Sequence, residues 1–372
     1  MIISSKPYPD ITNFFLQRDQ YCIDNINFFL LGRDALLSAF MNLGLNKGDS
    51  IIIPAYICES AIKPLEVHGF NLVYVDVDTD LTLSLDRIKK ITKDNSIKAL
   101  LVVHYFGFTK NFNKIIDFCK KSKIKVVEDA SHSFMSQFLR NNDDIKCDAE
   151  IFSMRKTLPV VDGGALRMRY KDYNQIKVEY PYSSKICDLK YLLTRLLEKI
   201  ITGLGINIYG QLINQAKSKF SMLLASKTIN CIPKPCQPSW QLNSYLNNDE
   251  YLKSIEQKVS KNFKQLSQAL LRLEFSLLFD SLKKGIVPQA CIVNDENGGL
   301  VEYLRSKGVG ACRWPGDELP KVVINNSDLY SNTISINNNL VLIPIHQSLN
   351  SKKINKIIQV LRIWKVKKLK NK

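Results

Sequence analysis

The residues able to do chemistry stand at the ends of short apolar runs. Asp129 closes Lys125-Val126-Val127-Glu128, and His132 follows three positions later. His104 closes Leu100-Leu101-Val102-Val103. Ser153 follows Ile151-Phe152, with Lys156 three residues beyond it. Gly32-Arg33-Asp34 opens a helical pattern, where the unbonded N–H groups of a first turn can hold a phosphate. Each has a plainer alternative: a turn aspartate, a solvated Lys156 beside Arg155, a core histidine. Together they make a set. A carboxylate to keep a pyridine nitrogen protonated, a lysine to form a Schiff base and a phosphate cradle are what pyridoxal phosphate (PLP) requires.

The elements that must carry these residues follow from the hydrophobic pattern. Helical spacing predicts helices over 33–43, 57–68 and 112–121. Apolar runs predict strands over 51–53, 71–77, 99–104, 124–127, 149–152 and 165–170. Strands alternating with helices imply βαβ units and an α/β fold with a doubly wound, mostly parallel sheet, whose ligands sit beyond the carboxyl ends of the strands. Past residue 180 the pattern turns to long helices, over 189–201 and 212–225. The Pro-rich stretch Ile232-Pro233-Lys234-Pro235-Cys236-Gln237-Pro238 marks a boundary. Residues 1–232 are read as a large cofactor-binding domain. Residues 233–372 are read as a smaller α+β domain, with a helix over 249–271, short strands over 285–287 and 340–344, and a terminal helix over 352–365.

Composition excludes several classes. Of 372 residues, 45% are hydrophobic and 23% charged, ordinary for a folded globular chain and incompatible with general disorder. The formal charge of +17 suits an anionic partner. Part of it is local: residues 352–372 hold eight Lys and one Arg, read as a solvated basic tail. The nine cysteines show no disulfide rhythm, and Cys231 and Cys236 lack a second pair, which speaks against zinc and for a reducing, cytoplasmic setting. No run is apolar enough to span a membrane. The best, over 191–213, contains Arg195, Glu198 and Lys199 and reads as an amphipathic core or interface helix. Neither a dinucleotide-binding glycine pattern nor a P-loop follows a strand, and no nucleic-acid-binding signature accompanies the charge.

The chain resembles the DegT/StrS-type PLP-dependent sugar aminotransferases, of the fold-type-I superfamily. The likeness runs in order through Gly32-Arg33-Asp34-Ala35-Leu36, Gly48-Asp49, Val75-Asp76-Val77-Asp78, Val103-His104-Tyr105-Phe106-Gly107, Val127-Glu128-Asp129-Ala130-Ser131-His132 and Asp148-Ala149-Glu150-Ile151-Phe152-Ser153. It continues through Lys156 and Asp162-Gly163-Gly164-Ala165, is loose through the middle, and returns at Leu342-Ile343-Pro344-Ile345-His346. The resemblance implies that Lys156 is the Schiff-base lysine and proton shuttle and that Asp129 partners the pyridine nitrogen. It implies that His132 touches the ring's phenolic oxygen, that Ser153 and the backbone at Arg33 and Asp34 bind the phosphate, and that Cys58 lies against the ring. It further implies a homodimer moving an amino group from an amino acid, glutamate being usual, to a keto-sugar attached to a nucleotide, in polysaccharide or secondary-metabolite sugar synthesis. No metal is implied.

Three departures stand out. The interval from Phe152 to the lysine is two residues shorter than usual, and Cys58 replaces an aromatic. The downstream motif by which a partner subunit enters the site is unrecognisable, with Pro238-Ser239-Trp240 near its place. The other class of reading is a non-catalytic or regulatory protein on the same fold, against which Asp129, Ser153 and Lys156 speak together. A dehydratase of the same family has histidine at the lysine position, which Lys156 disfavours.

Overall fold

The computed structural model describes residues 2–10, 26–138, 146–169, 185–206 and 232–370. Seven strands form its main sheet: β1 (Ile26–Phe29), β2 (Ser50–Pro54), β3 (Asn71–Val75), β4 (Ile97–Val103), β5 (Lys125–Asp129), β6 (Ala149–Ser153) and β7 (Gly164–Met168). Their order is β1-β7-β6-β5-β4-β2-β3. The pairs from β3 through β6 are parallel, while β7 runs antiparallel to both β6 and β1. The sheet is therefore mostly parallel, as the alternation predicts. The strands predicted over 71–77, 99–104 and 165–170 end within two residues of those bounds.

Burial explains why these segments are strands. Every residue of β4 except Lys98 is buried, as befits a strand covered on both faces. Each fully buried Leu or Val there stabilises the fold by roughly 1.5–3 kcal/mol. Helix α1 (Gly32–Asn42) packs across β6 and β7. Helices α2 (Glu59–Val67), α3 (Leu85–Asp94) and α4 (Asn113–Lys121) make the parallel crossovers between β2 and β5. The edge strand β1 is not among the strands predicted; its four buried residues pair with β7 from across 137 positions in the case of Phe28 against Ala165.

Helix α5 (Lys185–Gly203) matches the helix predicted from residue 189. Its inner side buries Asp188, Leu192, Arg195 and Thr202, whereas Leu193, Leu197, Ile200 and Leu204 are more than half exposed. Among the described residues no helix is long and apolar enough to cross a membrane. The helix predicted over 212–225, and Cys231, lie outside the described residues.

After residue 232 the chain touches the main sheet, with Cys236 N–H donating to the Phe28 carbonyl. Two helices follow, α6 (Trp240–Leu246) and α7 (Asp249–Arg272). A second sheet pairs β8 (Ala290–Asn294) with β9 (Leu340–Pro344), and α8 (Ser351–Lys370) packs on α7. The strand expected over 285–287 is absent: that stretch is a turn and loop, and the strand begins at Ala290. The reason is local. Gly285 sits at φ +81°, Pro288 has no N–H to donate, and the Val287 N–H goes to the Ser136 hydroxyl instead of a ladder.

Candidate active site

The carboxyl ends of β4, β5 and β6 and the start of α1 open onto one cleft of about 510 Å³. Arg33, Cys58, Asp129, His132, Ser153 and Lys156, all inferred from sequence, line it. Asp34 does not. Its carboxylate accepts the Leu31 N–H at 3.1 Å, and its own N–H donates to the Leu31 carbonyl at 3.0 Å, so the first helical turn consumes both groups. His104 is also elsewhere: its Nε2 lies 3.0 Å from Glu128, behind the strand ends. Cys58 is the N-cap residue of α2 and half-buried.

The cradle at the start of α1 is shaped by absent side chains. A Cβ on Gly32 would lie 3.0 Å from the Ser153 Cβ and 3.4 Å from the Ser131 hydroxyl. A Cβ on Gly164 would collide with the Leu31 backbone. The two glycines thus bring a helix N-terminus, two serine hydroxyls and a strand edge together, an arrangement suited to an anion.

Beyond β6 a single turn, Met154–Lys156, carries the lysine. Its Nζ approaches His132 Nε2 at 2.7 Å. The other ring nitrogen, Nδ1, accepts the Phe106 N–H at 3.4 Å, so the neutral ring carries its own proton on Nε2, facing Lys156. Burial, and then the Lys156 charge, push the His132 imidazole well below its ordinary range and hold it neutral. Phe106 stacks on the ring at 5.5 Å and 14°. It does so from a left-handed backbone, φ 57°, fixed by a 2.8 Å bond from the Gln289 N–H to its carbonyl. The Asp129 carboxylate accepts the Ser131 N–H at 2.8 Å, which sets its orientation at the strand end.

A second cavity of about 350 Å³ lies between the lysine turn and the small sheet. Lys6, Gln289, Arg305 and His346 are among its walls, and His132, Lys156 and Trp314 line both spaces. Trp314 meets His132 edge-on at 4.5 Å and 77°, with Lys156 Nζ 5.4 Å from its ring. From the small-sheet side, Gln289 Nε2 donates to the Lys156 carbonyl and Gln347 Nε2 to the Thr157 carbonyl, each at 3.3 Å. These residues were not foreseen. They reach the site from 133 and 190 positions away, and no local spacing announces them.

Residues 29–177 match the model of the DegT/DnrJ/EryC1/StrS aminotransferase family. Among curated proteins, the chain is 28% identical over 137 residues to GDP-perosamine synthase of Escherichia coli O157:H7, covering 36% of this chain and 37% of that protein. It is 32% identical over 120 residues to UDP-2-acetamido-2-deoxy-3-oxo-D-glucuronate aminotransferase of Pseudomonas aeruginosa, covering 32% of each. The matches thus span about a third of the length of these relatives. Among solved structures, a putative sugar aminotransferase of Streptococcus pneumoniae in its PLP form aligns at TM-score 0.68 with 14% identity, covering 99% of both chains. The GDP-4-keto-6-deoxy-D-mannose-3-dehydratase of E. coli aligns at TM-score 0.60 with 17% identity, covering 90% of this chain and 87% of that one. These likenesses establish that the chain shares the fold of those proteins.

Proposed function

We propose, from the match of residues 29–177 to the DegT/DnrJ/EryC1/StrS aminotransferase family model, that the protein is a PLP-dependent aminotransferase. Its substrates are an amino acid, glutamate by preference, and a keto-sugar carried on a nucleotide; its products are the 2-oxo acid and the amino sugar. The observation that carries the reading is the convergence of Lys156, Asp129, His132 and the Gly32–Ser153 cradle on one cleft at the carboxyl edge of the sheet. Names of relatives support the substrate class, since two act on or make GDP- and UDP-linked sugars.

The residues fit the cofactor. The cradle admits a phosphate where a Cβ on Gly32 would crowd both serines, and Asp129 lines the same cleft. When bound, PLP supplies an aldehyde carbon and a conjugated ring able to take up an electron pair. Asp129 then keeps a proton on the ring nitrogen, and the amides of Gly32 and Arg33 with the Ser153 hydroxyl hold the phosphate. Lys156 takes the proton from the donor's α-carbon and later delivers one to the acceptor carbon. Neutral His132, 2.7 Å from that amine, orients it through a hydrogen bond and places no second cation beside it. Trp314 and Phe106 confine the histidine and shield the amine from bulk water.

A homodimer with the site at the interface accompanies this reading. The exposed Leu193, Leu197, Ile200 and Leu204 stripe of α5 supports it as apolar surface that association would cover. The test is an absorbance spectrum of the purified protein, then a screen of nucleotide-linked keto-sugars with glutamate. We expect a visible band that glutamate bleaches and a suitable keto-sugar restores. A protein that shows no band with excess PLP would turn the reading toward the non-catalytic alternative.

A further inference from the structure

Two guanidinium groups on the wall of the cleft are not used by the reading above. Arg33 and Arg155 both line it, beside Gly32, Ser131 and Ser153. The Nε of Arg33 is buried and has no hydrogen-bond partner, and among the described residues neither arginine closes an ion pair. The acids nearest to them are engaged elsewhere. Asp34 binds the Leu31 N–H, Asp162 binds Ser239 through both its N–H and its hydroxyl, and Glu318 accepts from Ser60.

Two guanidinium groups lining one cleft, partly out of water and neither of them ion-paired among the described residues, are a costly arrangement in a folded chain even with the Asp34 charge nearby. Burial lowers the Arg155 pKa and Arg33 lowers it further, against the opposing charges of Tyr191, Asp162 and Asp34. Burial lowers Arg33 as well. Such a pair is accounted for by a bound anion of high charge density, and its position beside the glycine–serine cradle defines which. We infer that Arg33 and Arg155 form a clamp for the phosphate ester of the cofactor, supplied entirely by this chain. The inference rests on the proposed function and adds to it. The stretch where a partner subunit's motif would be expected, Pro238-Ser239-Trp240, is spent within the chain, since Ser239 caps α6 and binds Asp162. The two guanidinium groups, by contrast, line the cleft.

The experiment compares PLP with pyridoxal, which has the same ring and aldehyde but no phosphate. Dissociation constants are measured by fluorescence titration of the apo protein for the wild type, Arg33→Gln, Arg155→Gln and Arg155→Lys. A charge-assisted contact to phosphate is worth on the order of 10- to 100-fold in affinity, so each Gln variant should lose that factor for PLP while pyridoxal binding stays within about threefold. Arg155→Lys should recover part of the loss. The melting temperature of the apo protein should rise in Arg155→Gln, because a repelling charge has gone, and PLP should then stabilise that variant less than the wild type. A PLP-to-pyridoxal ratio unchanged in both Gln variants overturns the clamp while leaving the aminotransferase reading intact. The same unchanged ratio with a raised KM for a nucleotide sugar also overturns it, assigning the pair to the substrate's diphosphate. A wild type that binds no PLP removes both.

Discussion

Glu128 and Asp129 are consecutive carboxylates on β5, both buried, yet they live in different surroundings. Successive strand residues face opposite sides of a sheet. Glu128 turns inward, where His104 meets it at 3.0 Å and where Arg167 lies 3.7 Å from Glu150, all four side chains being nearly inaccessible. Asp129 turns to the cleft, among Arg33, Ser153, Arg155 and Lys156. The inner charges have found protein partners, while the outer set includes guanidiniums that have no ion pair among the described residues. That difference separates charge that holds the sheet together from charge that waits for a ligand.

The largest test of this division is Lys156→Ala. It should abolish transamination, a loss on the order of 10⁴-fold, while the melting temperature of the apo protein stays near the wild type. Borohydride reduction of the wild type with PLP should label the peptide containing Lys156; a label elsewhere would move the reactive amine out of the cleft. Next in size is a matched pair. Asp129→Asn should lower kcat by on the order of 10²-fold and leave stability nearly unchanged, because a neutral amide cannot keep the ring nitrogen protonated. Glu128→Gln should do the reverse, costing about 1–3 kcal/mol in chemical denaturation with kcat within a few-fold. Equal effects on kcat would erase the boundary between the two sides of β5.

The smallest effect is a tilt of stability with pH. Burial pushes the His346 imidazole down to about 4, from an ordinary 6.5. The unfolded chain therefore takes up that proton first, so this contribution is complete above pH 6.5 and is lost as pH falls toward 4. Burial raises the Asp162 carboxyl to about 6 from 3.8, even against two bonds from Ser239. Its contribution has the opposite sign: largest below pH 3.8 and lost as pH rises through 6. The two oppose each other between pH 4 and 6. His346→Asn should make the melting temperature fall with rising pH in that window, and Asp162→Asn should make it climb. Parallel curves for both variants would show that neither group titrates as buried.

The legible part of the molecule was what short-range pattern encodes. Apolar runs ending in Asp129, Ser153 and Val103 gave the parallel strands, and the rule that ligands gather past strand ends gave most of the cleft wall. What stayed hidden depends on pairing across long intervals. Four buried residues, Ile26–Phe29, carry no alternation to distinguish an antiparallel edge strand from a loop. Val287 looked like strand because it is apolar, but its N–H had a serine to satisfy. Arg155 entered only as the neighbour of Lys156, since nothing in the sequence says that Arg33 lines the same cleft. Trp314, Gln289 and Gln347 were invisible for the same reason.

The two glutamines have a practical consequence. Gln289 precedes β8 and Gln347 follows β9, and both amides hold carbonyls of the turn that carries the lysine. The segment that walls the second cavity is therefore also a mechanical support for the reactive amine. Exchanging it for that of a relative, the obvious route to a new sugar preference, would replace the lysine's scaffold along with the pocket. On the proposed function, substrate choice and catalytic competence would be inherited together in this chain, and a graft that keeps Gln289 and Gln347 while varying the rest of the wall is the one with reason to remain active.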